Sequence, residues 1–220
     1  MLLAMTLMPL TASQACRSEP FWFSLHYFAC FAPFFASSLY HLFMCHRAGY
    51  VTYKNLLTFD VCGVWAVNAF GGLCGIRATL FCFPKFRILS LLFYMILSLY
   101  ALYSVLSART PKERFMPLML FGLMRYFFLA VRLLLWYYEY GCGSAEAVPY
   151  YVAMDILAGV GGLLNVNRFP ERLFPGTFDI VGNGHQIMHI LTTIGVGCLH
   201  FGAVKDFDWM GEFSCAKQLG

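Results

Sequence analysis

The chain has 220 residues, of which 60% are apolar, 18% aromatic and only 12% charged. A soluble domain averages about 25% charged residues, so this composition excludes a water-covered globule and points to a polytopic membrane protein. The net charge of +4 comes with no basic run longer than a pair, which excludes a nucleic-acid binder built on a basic face.

In chain order, the opening apolar stretch 1–10 is too short to cross a bilayer, has no basic residues ahead of it and is broken by Pro9. It is open to two readings, a signal peptide or the tail end of a further span; the resemblance given below favours the second. Six runs long enough to cross a hydrocarbon core of about 30 Å follow: residues 21–45, 56–76, 88–107, 115–138, 150–166 and 180–204. The fifth is short, and Gly159, Gly161 and Gly162 mark it as a helix closely packed by its neighbours. Charges and helix breakers fall in the links at 47–54, 77–87, 109–114, 139–149 and 167–179. The expected fold is all-α, a membrane helical bundle over 14–204, with a partial helix before it in 1–13 and a short non-cytosolic tail at 205–220.

Orientation is read from the charges and cysteines of the links. The links carry seven Lys/Arg on one side (Arg47, Lys54, Arg109, Lys112, Arg114, Arg168, Arg172) and six on the other, nearly a tie under the positive-inside rule. Cys30, Cys45, Cys62, Cys74 and Cys198 lie in apolar stretches, where cysteine acts as a small packing residue. Cys16, Cys82, Cys142 and Cys215 all fall on the six-charge side. That side suits an oxidising compartment, which leaves the seven-charge side cytosolic.

Ionisable residues inside spans cost about 2.5–3.5 kcal/mol at the centre of a bilayer on insertion scales, and so carry the most information. His41, Asp60 and His185 each lie five or six residues from the same-side end of their spans. His185 and His189, spaced i and i+4, share one helical face. Three neutral imidazoles leave a fourth tetrahedral position for water on Zn²⁺. Asp60 is placed to hold that water or to orient a ligand histidine. Ser37, one turn before His41, is placed to donate to an oxyanion or ligand. A single intramembrane histidine is more often a hydrogen-bonded packing residue, and Asp60 alone could bind a backbone amide; the argument is in the set.

Arg132 and Asp155 match in depth toward the other face, which predicts a buried pair. Arg125, seven residues deeper on the same helical face, would share Asp155 or line a polar cavity. His26 and His200, far from the histidine layer, read as interfacial or packing residues. Asp179, after the Pro175–Gly176 turn, suits the N-cap of the last helix.

The blocks Ser37-Ser38-Leu39-Tyr40-His41, Phe59-Asp60-Val61-Cys62-Gly63, Pro170-Glu171-Arg172, Pro175-Gly176-Thr177-Phe178-Asp179 and Gly184-His185-Gln186-Ile187-Met188-His189 resemble the progestin and adipoQ receptor family, relatives of the adiponectin receptors. The resemblance runs from Phe21 to Val204 and implies seven helices, the first incomplete here. It implies a zinc ion near the cytosolic face on His41, His185 and His189, with Asp60 holding water and Ser37 as the family's Ser-x-x-x-His serine. The family's Glu-x-x-Asn element has no counterpart before Phe21. Residence in the Golgi, other endomembranes or the plasma membrane is implied as well. Two functions follow as expectations. One is a zinc-dependent lipid amide hydrolase acting on a ceramide-like lipid in an intramembrane cavity, with Asp60 as base. The other is a signalling receptor or scaffold in which zinc only braces the helices.

Overall fold

The computed structural model describes Cys16, residues 19–47 and residues 49–215; the partial helix expected at 1–13 lies outside them. Six long helices follow in order: α1 (Pro20–Phe43), α2 (Tyr50–Thr79), α3 (Pro84–Ser107), α4 (Pro111–Tyr137), α5 (Val148–Asn167) and α6 (Gly184–Glu212). A single 3₁₀ turn, Ala145–Ala147, precedes α5. Among the described residues there is no strand.

Local chemistry accounts for the helix starts. Proline stands in the first turn of α1, α3, α4 and α5, where its missing N–H costs nothing. At α4 the Thr110 side chain accepts from the Glu113 amide at 3.2 Å, and the Glu113 carboxylate accepts from the Arg109 amide at 2.8 Å, a capping-box variant. At α6 the cap is Asn183, which accepts from the Gln186 amide at 3.0 Å. This corrects Asp179 as the expected cap. The last helix begins at Gly184 because Asp179 is spent inside the preceding turn, accepting from the Gly176 amide. His185 therefore sits in the first turn of α6, shallower than the apolar count suggests.

Five of the helices, α2 to α6, are long and apolar enough to cross a membrane. α1 has 24 residues, about 36 Å of helix, but His26, Tyr27, Pro33, Tyr40 and His41 dilute its hydropathy. α6 runs on to Glu212, past the expected end at Val204, so residues 205–212 are helix and not tail. Lys205, Asp206 and Asp208 interrupt the apolar run without ending the helix.

The bundle tightens where side chains are small. A Cβ on Gly63 of α2 would come within 2.8 Å of Ala36 and 2.9 Å of the Ala32 carbonyl, so α1 and α2 pack backbone to backbone. Gly161 of α5 lies against Met188 of α6, and Gly162 against Phe115, whereas Gly159 faces open space. Only two of those three glycines are thus packing residues. The outer face of α3 exposes Phe86, Leu89, Leu92, Phe93 and Ile96, an apolar stripe suited to lipid.

The end of the bundle where α2 finishes and α6 terminates is held by charge. Arg132 meets Asp206 at 2.9 Å with side-chain exposures of 2% and 0%, and also donates to Thr79 at 3.1 Å and the Gly75 carbonyl at 3.2 Å. Asp206 accepts in addition from the Ser144 amide at 3.0 Å and the Tyr151 hydroxyl at 2.9 Å. The expected Arg132–Asp155 pair is overturned: Asp155 pairs with Arg125, which also donates to Asn68 at 3.0 Å. Depth along a helix finds the layer of a charge but not the neighbour it faces, and Asp206 lay beyond the expected membrane segment. Cys82 and Cys215 form a disulfide that joins the α2–α3 link to the chain after α6.

Candidate metal centre

The opposite end of the bundle gathers the histidines. α1 ends there with His41, and α6 begins there with His185 and His189. The link before α6 sets its position. Glu171 accepts from the Gly184 amide at 2.8 Å, and a Cβ at Gly184 would fall 2.6 Å from the Phe169 carbonyl and 2.7 Å from that of Leu164. Only glycine lets α6 start this close to the end of α5.

The three Nε2 atoms form a near-equilateral triangle: 3.1 Å for His41–His189, 3.3 Å for His41–His185 and 3.1 Å for His185–His189. The ligating atoms all lie within 4.8 Å of one another. Tetrahedral Zn²⁺ with Zn–N of about 2.0–2.1 Å needs N···N edges of about 3.3 Å, so the triangle has the size of one face of such a site. The His185 Nδ1 is 3.1 Å from the Asn165 Oδ1. Since that oxygen only accepts, Nδ1 carries the proton and Nε2 presents a bare lone pair to the centre. Three imidazole nitrogens this close cannot all be satisfied by one another; a cation between them satisfies all three.

Ser37, one turn before His41, is buried, and its Oγ has no hydrogen-bond partner among the described residues. It faces the Asp60 carboxyl of α2. Asp60 is not one of the residues whose ligand atoms cluster with the three nitrogens. Three converging nitrogens, with a buried hydroxyl and a carboxyl beside them, make this a candidate metal centre. Asn165, which sequence reasoning missed, lies 20 residues before His185 in another helix. Its Asn-x-Asn context before Arg168 carries no metal signature. Tyr40 closes one side, edge-on to His41 at 4.9 Å.

A separate cavity of about 50 Å³ lies among α2, α4, α5 and α6, lined by Gly71, Gly75, Arg125, Tyr151 and Asp155 among others. It touches none of the three histidines, and its volume suits a few waters rather than an acyl chain.

Among the described residues, six long helices, five of them able to cross a membrane, with a histidine cluster between α1 and α6, define a multi-pass integral membrane protein with a candidate metal centre. A family model described as "Haemolysin-III related" matches residues 1–200. The chain is 40% identical over 217 residues to the human protein "Progestin and adipoQ receptor family member 4", covering 97% of this chain and 77% of that one. It is 33% identical over 166 residues to "Heptahelical transmembrane protein 4" of Arabidopsis thaliana, covering 73% of this chain and 42% of the relative. The chain belongs to the haemolysin-III-related family, the family of the progestin and adipoQ receptors.

Proposed function

We propose that the chain is a zinc-dependent hydrolase of lipid amides, with ceramide-type lipids as substrate class. The observation that carries this reading is the triangle of His41, His185 and His189 Nε2 atoms with 3.1–3.3 Å sides. When bound, the ion supplies Lewis acidity toward water and an amide carbonyl.

The chain's own residues supply the rest. Asp60 takes a proton from water at its carboxylate and returns it to the leaving amine. The Ser37 hydroxyl, beside the Asp60 carboxyl, donates to the amide oxygen as charge develops there. Asn165 holds His185 in the tautomer that keeps Nε2 bare. Phe35, Leu42, Phe59, Ile190 and Ile194 are exposed on the helices around the cluster and offer an apolar flank for acyl chains. We place this end of the bundle toward the cytosol, in endomembranes or the plasma membrane. The Cys82–Cys215 disulfide at the far end supports that orientation, because disulfides persist in oxidising compartments.

A bracing role for the ion is the second reading, since His41 on α1 and His185 and His189 on α6 would tie two helices distant in sequence. The test is turnover of a fluorescent ceramide by the purified chain in lipid nanodiscs. Asp60→Asn is expected to lower kcat by about 10²–10⁴-fold with metal content unchanged. Undiminished turnover in that variant removes Asp60 from catalysis, and no turnover in the native chain while metal removal unfolds it establishes the bracing role instead.

A further inference from the structure

A second group of metal-ligand atoms lies away from the first. His26 and Cys30 share a face of α1 as an i, i+4 pair, and His200 of α6 packs against them. His26 Nε2 is 3.2 Å from His200 Nδ1 and 3.6 Å from the Cys30 sulfur, and the three atoms lie within 4.8 Å of one another. The residues are buried to 0%, 0% and 2% exposure. Fifteen residues of α1 separate His26 from His41, about 22 Å along the helix.

We propose that His26, Cys30 and His200 form a second metal site, one that takes a soft monovalent cation, Cu(I). The separations are those of ligands around one ion: metal–nitrogen bonds of about 2.0 Å and a metal–sulfur bond of about 2.3 Å at open angles give edges of about 3.3 Å and 3.6 Å. The ring centroids of the two histidines are 5.4 Å apart with planes 16° from parallel, an offset stack that keeps the two rings side by side with their nitrogens near the Cys30 sulfur. The His26 Nδ1 is buried with no hydrogen-bond partner among the described residues, so the polar function of that ring is concentrated in the Nε2 aimed at the other two.

Charge and coordination number choose the ion. Thiolate is a soft donor and imidazole a borderline one, and the combination suits Cu(I) or zinc. Binding releases the Cys30 thiol proton, so the filled site has one negative ligand. Cu(I) makes it neutral, whereas a divalent ion leaves a net positive charge buried in an apolar core, where an uncompensated charge costs several kcal/mol. The site supplies three donors and is closed to water, while zinc seeks a fourth.

The test uses the full chain purified in detergent, loaded first with zinc to fill the His41 cluster, then titrated anaerobically with Cu(I) against a coloured Cu(I) chelator. About one Cu(I) per chain is expected to be retained, with one sulfur and two nitrogen neighbours in copper-edge X-ray absorption. Cys30→Ser should weaken retention at least tenfold, and His185→Ala should leave it intact. Failure of the zinc-loaded chain to retain copper, a spectrum without sulfur, or undiminished retention in Cys30→Ser overturns the proposal. Should Cys30→Ser not fold, the native spectrum alone decides.

Discussion

The two ends of the bundle use polar residues in opposite ways. At one end, Arg132 and Asp206 complete each other: Asp206 accepts from Arg132, Ser144 and Tyr151, and Arg132 donates to Thr79 and Gly75 as well. At the end holding His41, the groups converge without completing one another: three imidazole nitrogens meet within 4.8 Å of one another. A closed network buries its charges and rigidifies four helices. An open one keeps donor atoms in reserve for something the chain does not itself provide. The contrast separates a part whose polar groups complete one another from a part whose donor atoms converge on a common point.

Removing one charge from the closed end gives the largest effect on folding. Asp206→Ala leaves Arg132 buried and unpaired, with an expected loss of about 3–5 kcal/mol. Thermal unfolding in detergent checks this, and the fraction that remains folded should hold its metal. Loss of metal at unchanged stability would erase the distinction between the ends. Asn165→Ala acts on the open end: without its acceptor, His185 is free to change tautomer, and metal affinity should fall about 10–100-fold, measured by competition with a zinc chelator, while the melting temperature of the metal-free chain stays put. The smallest change, Thr110→Ala at the start of α4, removes a helix cap and nothing else. It should cost about 1 kcal/mol without altering metal affinity, and a change in affinity would show that this cap, at the same end as His41, helps to shape the histidine cluster.

Much of the helical framework was legible because apolar run length and charged links are strong signals in a membrane chain. The convergence of His41, His185 and His189 was legible too, since an i, i+4 pair and the parity of crossings bring them to one layer. Pairing across helices was not. Arg125 and Arg132 lie seven residues apart on one helical face, and nothing in their spacing says which of them Asp155 meets. Asp206 was hidden by its place among Lys205 and Asp208, which read as the end of a span although α6 continues. His26 and His200 are 174 residues apart and were read as packing residues; the one local signal was Cys30 at i+4 from His26. The start of α6 was misplaced because two good capping residues, Asp179 and Asn183, stand four apart, and only the fold of the link decides between them.

The central claim is that the His41 end grips a divalent ion, and metal analysis of the purified chain tests it most directly. About one zinc per native chain is expected, lost when His41, His185 and His189 are all changed to alanine and kept when Arg125 and Asp155 are both made neutral. Equal zinc in the native and triple-alanine proteins would contradict the account.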